Sequence, residues 1–223
     1  MQDPQPKLIF AHGLWMNGLE MTWLRSRLRD RGYSTAQFQY NTVAPKLADN
    51  CRRFRQFILS RQGPVTLIGH SLGGVLSLQT LRAFPDLPVE KIICLGSPLV
   101  DSAAGRSMQK VAPGRFMMGG LLPQAIFEQP LDEWNSAVPV GVIAGTRGFG
   151  PGRVVARLPR PHDGTVAVSE TRLPGISDHI EIPYTHTTML FAPVVVNQCD
   201  HFVQHGRFMR DPAAESQSED ESG

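Results

Sequence analysis

Gly69-His70-Ser71-Leu72-Gly73 sets one serine between two glycines in the pattern Gly-x-Ser-x-Gly. A serine hydroxyl is a weak nucleophile until a neighbouring base takes its proton. The glycines bear on the other requirement, which is exposure. On a sharp strand-to-helix turn the serine is held in a strained backbone conformation, small flanking residues prevent clashes, and the hydroxyl rises above the C-terminal edge of the sheet. The first N–H groups of the following helix then point towards developing negative charge. The pentapeptide alone is weak evidence, because glycine and serine are common. Its context is what counts: the β-rich run 64–68 precedes it and the helix-like run 75–84 follows. An ordinary glycine-rich turn has the same composition. A phosphate-binding loop needs Gly-x-x-x-x-Gly-Lys-Ser/Thr, and no lysine follows here.

The elements that would position this serine are legible as alternating periods. Lys7–Ala11 reads as a buried strand running into His12-Gly13, and 33–40, 64–68, 89–95, 139–144 and 179–182 read as further strands. Met21, Leu24 and Leu28 repeat at helical spacing before Gly32, and Leu47, Cys51, Phe54 and Ile58 mark a second helical face. Pro193–His205 has proline at its first turn and Gly206 at its end, a third helix. Strands alternating with helices imply an α/β fold, a mostly parallel central sheet with helices on both faces. Residues 1–210 are expected to form a single domain. The stretch 101–134, rich in Met, Gly, Pro and Gln, is expected to be a small lid-like insertion. Residues 147–161 are irregular, and 211–223 read as a disordered acidic tail.

Composition narrows the function classes. The net charge of +2 conceals a tail with five acidic residues and no Lys or Arg, which leaves 22 basic and 15 acidic residues elsewhere, about +7. Arg25, Arg27, Arg29 and Arg31 flank apolar Leu24 and Leu28, so they read as a solvated helix face rather than a nucleic-acid patch. The apolar runs are too short to cross a bilayer, and the first residues lack the basic and apolar regions of a signal peptide. As given, the chain reads as cytoplasmic. Cys51, Cys94 and Cys199 are odd in number, widely spaced and set among apolar neighbours, as expected of reduced core residues. Neither a metal motif nor a dinucleotide fingerprint is present, so no cofactor is expected.

Gly-His-Ser-Leu-Gly-Gly at 69–74, preceded by Phe10-Ala11-His12-Gly13-Leu14, resembles the lipase and esterase branch of the α/β-hydrolase superfamily. The resemblance spans residues 7 to about 207 and says little about substrate. It implies an oxyanion hole made by two backbone N–H groups, that of Leu72 after the nucleophile and that of Leu14 after His-Gly. It also implies the chain order serine, acid, histidine. Among seven histidines, His12 and His70 belong to the loops just named, His162 and His179 flank the wrong elements, and His201 and His205 fall in the last helix. His186 sits in a loop after the last expected strand and before the helix-like run 187–191, where it can reach the serine's edge of the sheet. The acid is expected at Asp163, because Asp163-Gly164-Thr165-Val166 looks like the Asp-Gly-x-Val segment that carries it in similar enzymes. Asp178 is the alternative, Asp101 stands third, and an aspartate before glycine also serves ordinary turns.

Such a triad attacks an acyl carbonyl and forms an acyl-serine that water resolves. The function expected is hydrolysis of a carboxylic ester, on a small-molecule or lipid ester substrate. Trp15, Met16, Leu99 and Met117, with Leu14, Met108, Phe116 and Met118, read equally as an acyl-binding wall or as plain packing. The rival readings are an acyltransferase, a thioesterase, and a silent hydrolase fold used for binding.

Overall fold

The computed structural model describes residues 6–42, 46–109, 121–148 and 158–210. Six strands, β1 (Lys7–Ala11), β2 (Ser34–Phe38), β3 (Val65–His70), β4 (Val89–Leu95), β5 (Val140–Gly145) and β6 (Asp178–Ile182), form one sheet. Their order is β2-β1-β3-β4-β5-β6, and every neighbouring pair is parallel. The helices between them are α1 (Thr22–Arg29), α2 (Leu47–Leu59), α3 (Leu72–Ala83) and α4 (Ala103–Gln109), and α5 (Pro193–His205) follows β6. A short helical segment, Leu121–Pro123, runs on into a π-helical turn at Gln124–Glu128.

Both faces of the sheet are covered, which is why its central strands are apolar throughout rather than alternating. All six residues of β3 are buried. Successive side chains of β1 go to opposite cores: Ile9 and Ala11 join Phe54, Ile58 and Leu76 of α2 and α3, while Leu8 and Phe10 join Leu24, Leu28 and Phe202 of α1 and α5. Cys51, Cys94 and Cys199 are free and buried. Arg25 departs from the solvated face expected of it. It is half-buried, with its guanidinium over the Phe10 ring, because the arginine stem covers apolar surface where α1 meets the sheet.

The topology matters most at one place. The chain leaves β1, crosses to β2 at one edge, and returns to the far side of β1 as β3. Crevices in open α/β sheets form at the carboxyl ends of strands where the winding reverses. There β1 and β3 end together, with Ala11 paired to Gly69. The loop carrying His12 and Gly13 and the turn carrying Ser71 therefore leave the sheet side by side.

Helix α3 starts at Leu72, three residues before the apolar run that marked it in the sequence. Gly73 and Gly74 are poor helix formers by propensity, but here they let the helix lie on the strands. A Cβ at Gly73 would stand 2.1 Å from the Ala11 carbonyl oxygen, and one at Gly74 would stand 2.1 Å from Ser97 Oγ. Ten consecutive residues of α3, Leu72 to Leu81, are buried. Gly73→Ala is therefore expected to destabilise the fold by about 3 kcal/mol or more, lowering Tm by roughly 6–12 °C. Thermal denaturation followed by circular dichroism measures this, and a Tm within 2 °C of the parent's would contradict the packing argument.

Candidate active site

Ser71 has φ 54° and ψ −121°, a conformation that side chains rarely adopt. Backbone strain of this kind costs on the order of 1–3 kcal/mol and persists only where surrounding structure imposes it. Here the Ser71 N–H donates to the Leu95 carbonyl at 2.9 Å, and the Ser71 carbonyl accepts from Gly74 N at 3.1 Å. Gly69 completes the turn, since a Cβ there would fall 2.3 Å from Gly74 N.

The loop after β1 presses against this turn. A Cβ at Gly13 would lie 3.2 Å from Ser71 Cβ and 3.2 Å from Met16 Sδ. The buried His12 ring stacks on Tyr40 at 4.4 Å and donates through Nδ1 to the Gly13 carbonyl at 2.9 Å. The Tyr40 hydroxyl donates to the His12 carbonyl at 2.6 Å, and Trp15 N donates to Thr42 Oγ1 at 3.1 Å. Leu14 follows Gly13 and Leu72 follows Ser71, so the two candidate oxyanion donors belong to segments in contact.

Asp163 and His186 come from loops after neighbouring strands, β5 and β6, and they meet. His186 Nδ1 lies 2.6 Å from Asp163 Oδ2, and the His186 N–H donates to the Asp163 carbonyl at 2.9 Å. The other carboxylate oxygen, Oδ1, accepts from Thr165 N at 2.8 Å and Val166 N at 2.7 Å. Asp163 is 1% exposed. Burial alone pushes its pKa up, but the His186 charge, the hydrogen bond to His186 and the two backbone donors outweigh burial and hold the carboxyl below its ordinary range. With the carboxylate as acceptor, Nδ1 carries the proton, and the neutral ring presents a bare Nε2.

The two other candidate acids are engaged elsewhere. Asp178 begins β6, at the end remote from His186, and accepts from His179 N, Phe208 N and Arg210. Asp101 accepts from Ser102 N and pairs with Arg106.

A family model for the alpha/beta hydrolase family matches residues 8–221. The chain belongs to that family. No curated protein matches it. Among solved structures it is similar to the mature lipase BlEst2 of Bacillus licheniformis, at 16% identity and TM-score 0.72 over 92% of this chain and 93% of that one. It is also similar to the pyrethroid hydrolase PytH, at 16% identity and TM-score 0.64 over 91% and 98% of the two chains. A third likeness is the RedJ thioesterase of the prodiginine pathway in Streptomyces coelicolor, at 12% identity and TM-score 0.58 over 92% and 89%. At these identities the likeness is one of fold.

Within this hydrolase fold, three residues beside the site were assigned no role from the sequence. Gly96, at φ 54°, lies where a Cβ would come within 3.0 Å of Asp163 Oδ2 and 3.1 Å of His186 Nδ1. The fully buried His70 ring lies 4.7 Å from the His186 ring, and His70 Nε2 is 2.9 Å from the His186 carbonyl oxygen. Glu170 is 4% exposed, and its carboxylate accepts from Ala103 N and Ala167 N. The expected apolar wall is split. Trp15 is 54% exposed at φ 59°, Met16 is half-buried, and Leu99 is 2% exposed within the core. Met117, with Phe116 and Met118, lies outside the described residues, as does the side chain of Met108. Among the described residues, no three His, Cys, Asp or Glu side chains are grouped to hold a metal ion.

A carboxyl whose folded pKa is depressed contributes stability above its unfolded pKa, and that contribution is lost as pH falls through the folded value. Asp163 is therefore expected to titrate below its ordinary 3.8 in the folded protein. Carboxyl ¹³C NMR on selectively labelled protein follows it directly. A midpoint above that value would mean the two N–H donors and His186 do not outweigh burial.

Proposed function

We propose that the chain is a serine hydrolase that cleaves carboxylic esters, with Ser71 as nucleophile, His186 as base and Asp163 as the acid that orients it. The observation that carries this reading is the 2.6 Å bond between His186 Nδ1 and Asp163, in a protein whose only Gly-x-Ser-x-Gly serine stands at positive φ at the end of β3 in the same sheet. His186 Nε2 takes the Ser71 proton as Oγ attacks the ester carbonyl, and the N–H groups of Leu14 and Leu72 receive the negative charge on the carbonyl oxygen. The tetrahedral adduct collapses to an acyl-serine as His186 returns the proton to the leaving alkoxide. Water, deprotonated by the same imidazole, then releases the acid and restores the serine. Asp163 holds the imidazole in one tautomer and stabilises the imidazolium.

The exposed Trp15 beside the candidate oxyanion loop supports an apolar acyl or alcohol group in the substrate. A thioester is the second substrate class, supported by the similarity to a thioesterase fold, and it needs the same residues. No helix among the described residues is long and apolar enough to cross a membrane.

A fluorophosphonate probe should label the parent protein, and p-nitrophenyl esters of increasing acyl length should report its preference. Ser71→Ala should abolish labelling, and Ser71→Ala and His186→Ala should each lower kcat by on the order of 10⁴-fold or more. Asp163→Asn should cost several orders of magnitude, by analogy with roughly 10⁴-fold for the wrong tautomer in the serine-protease triad, whereas Asp178→Asn should cost little. Near-normal turnover by pure Ser71→Ala would end the proposal.

A further inference from the structure

His70 is the one buried, titratable side chain of the elbow that the proposed reaction does not use. Burying an imidazole costs free energy unless its polar atoms are satisfied, and the pattern Gly-x-Ser-x-Gly leaves this position free to be apolar. The residue instead bridges loops. Its Nε2 lies 2.9 Å from the main-chain oxygen of His186. A carbonyl only accepts, so Nε2 carries the proton and donates. Its ring rests against the His186 ring at 4.7 Å with planes inclined by 46°. Its Nδ1, buried and without a hydrogen-bond partner among the described residues, is directed at the oxyanion loop, 3.3 Å from where a Cβ on Gly13 would stand.

We infer that His70 is a positioning residue for the base: its Nε2–H holds the His186 carbonyl, and its ring backs the His186 imidazole, so that Nε2 of His186 stays aimed at Ser71. The inference rests on the proposed role of His186. Two features support it. First, both main-chain polar groups of His186 are tied, its N–H to the Asp163 carbonyl and its C=O to His70. His70 is bonded covalently to Ser71, so serine, His70, His186 and Asp163 form one continuous chain of connections. A loop residue clamped at both ends loses little further freedom when its side chain moves a proton. Second, the clamp carries no charge. Burial, and then the neighbouring His186, hold the His70 pKa down to about 3. His186 becomes an imidazolium in each proton transfer, and a second cation in contact would oppose it. A neutral imidazole donates the hydrogen bond without that opposition. Leucine could not donate, and lysine would bring the charge.

Two measurements test this. In the parent protein, ¹⁵N NMR of histidine should find His70 neutral and protonated at Nε2 from pH 5 to 9. Titration within that range, or a proton on Nδ1, overturns the inference whatever the variants do. Among variants, His70→Leu should lose about 10²-fold in kcat per fluorophosphonate-titrated site, the scale expected of a reacting group misplaced by about 1 Å, with KM changed less than about twofold. His70→Gln keeps an N–H donor of similar reach and should stay within about tenfold of the parent. Equal losses in both variants, or a loss carried by KM alone, would show a merely structural residue. Should His70→Leu fail to fold, His70→Gln and the NMR tautomer decide the matter. An active His186→Ala variant would overturn the base assignment beneath. An inactive one, beside a His70→Leu variant at full kcat, would overturn the positioning role alone.

Discussion

The geometry of the site depends on how closely α3 lies on the ends of β1 and β3. Gly73 meets the Ala11 carbonyl and Gly69 meets the backbone of Gly74, at separations where no Cβ fits. With the helix seated there, the chain between His70 and Leu72 has one residue in which to turn, and Ser71 takes up the turn at φ 54°. The strain at that residue is on the order of 1–3 kcal/mol, and it is offset by the burial of α3 along ten successive residues. Ser71 takes its turn because the helix is packed, so the position of the candidate nucleophile and core stability are one property of the sequence.

The same seating organises the electrostatics. β1 and β3 end in register, so the loop holding Gly13 runs across the Ser71 turn, and β4 ends beside β3 just before Gly96. Gly96 leaves room for the Asp163–His186 pair, whose contact atoms fill the space a side chain would take. Removing a carboxylate from water is expensive unless donors replace the solvent. Asp163 has two backbone N–H donors besides the imidazole. It is therefore held ionised at a site that is nearly dry, where its interaction with an imidazolium is screened little. His70 meets the same burial with the opposite result, since it has no partner that favours its charged form strongly enough and stays neutral.

Much of this was legible in the chain, and the reasons differ by residue. Ser71 is marked by glycines that serve a steric need, and steric needs leave compositional traces. The strands and the helices α1, α2 and α5 were legible because a sheet covered on both faces demands apolar runs and amphipathic helices. Their ends were less so: β2 is shorter than the run 33–40, since Tyr40 leaves the strand to cap the His12 carbonyl. The start of α3 was hidden because its first turn is built on glycines that a propensity argument assigns to a loop. The pairing of Asp163 with His186 rested on a resemblance and on chain order; spacing alone left Asp178 open. The contacts of Gly96, His70 and Glu170 were illegible because each involves a partner 67 or more positions away, and nothing local announces such a contact.

Glu170 joins the segment after β4 to the loop that bears Asp163. Its carboxylate receives the N–H groups of Ala103 and Ala167, and its own carbonyl receives those of Leu99 and Val100. The first pair of donors joins the start of α4 to the loop that bears Asp163, and the second fastens the segment leaving β4 to the same point. Burial raises the Glu170 pKa and the two N–H donors work against that rise, so the carboxylate depends for its charge on the segments it holds together. A displacement of the segment from Leu99 to α4 therefore bears also on the loop that holds Asp163 against His186. The position of Asp163 is thereby tied to the segment after β4 as well as to its own loop.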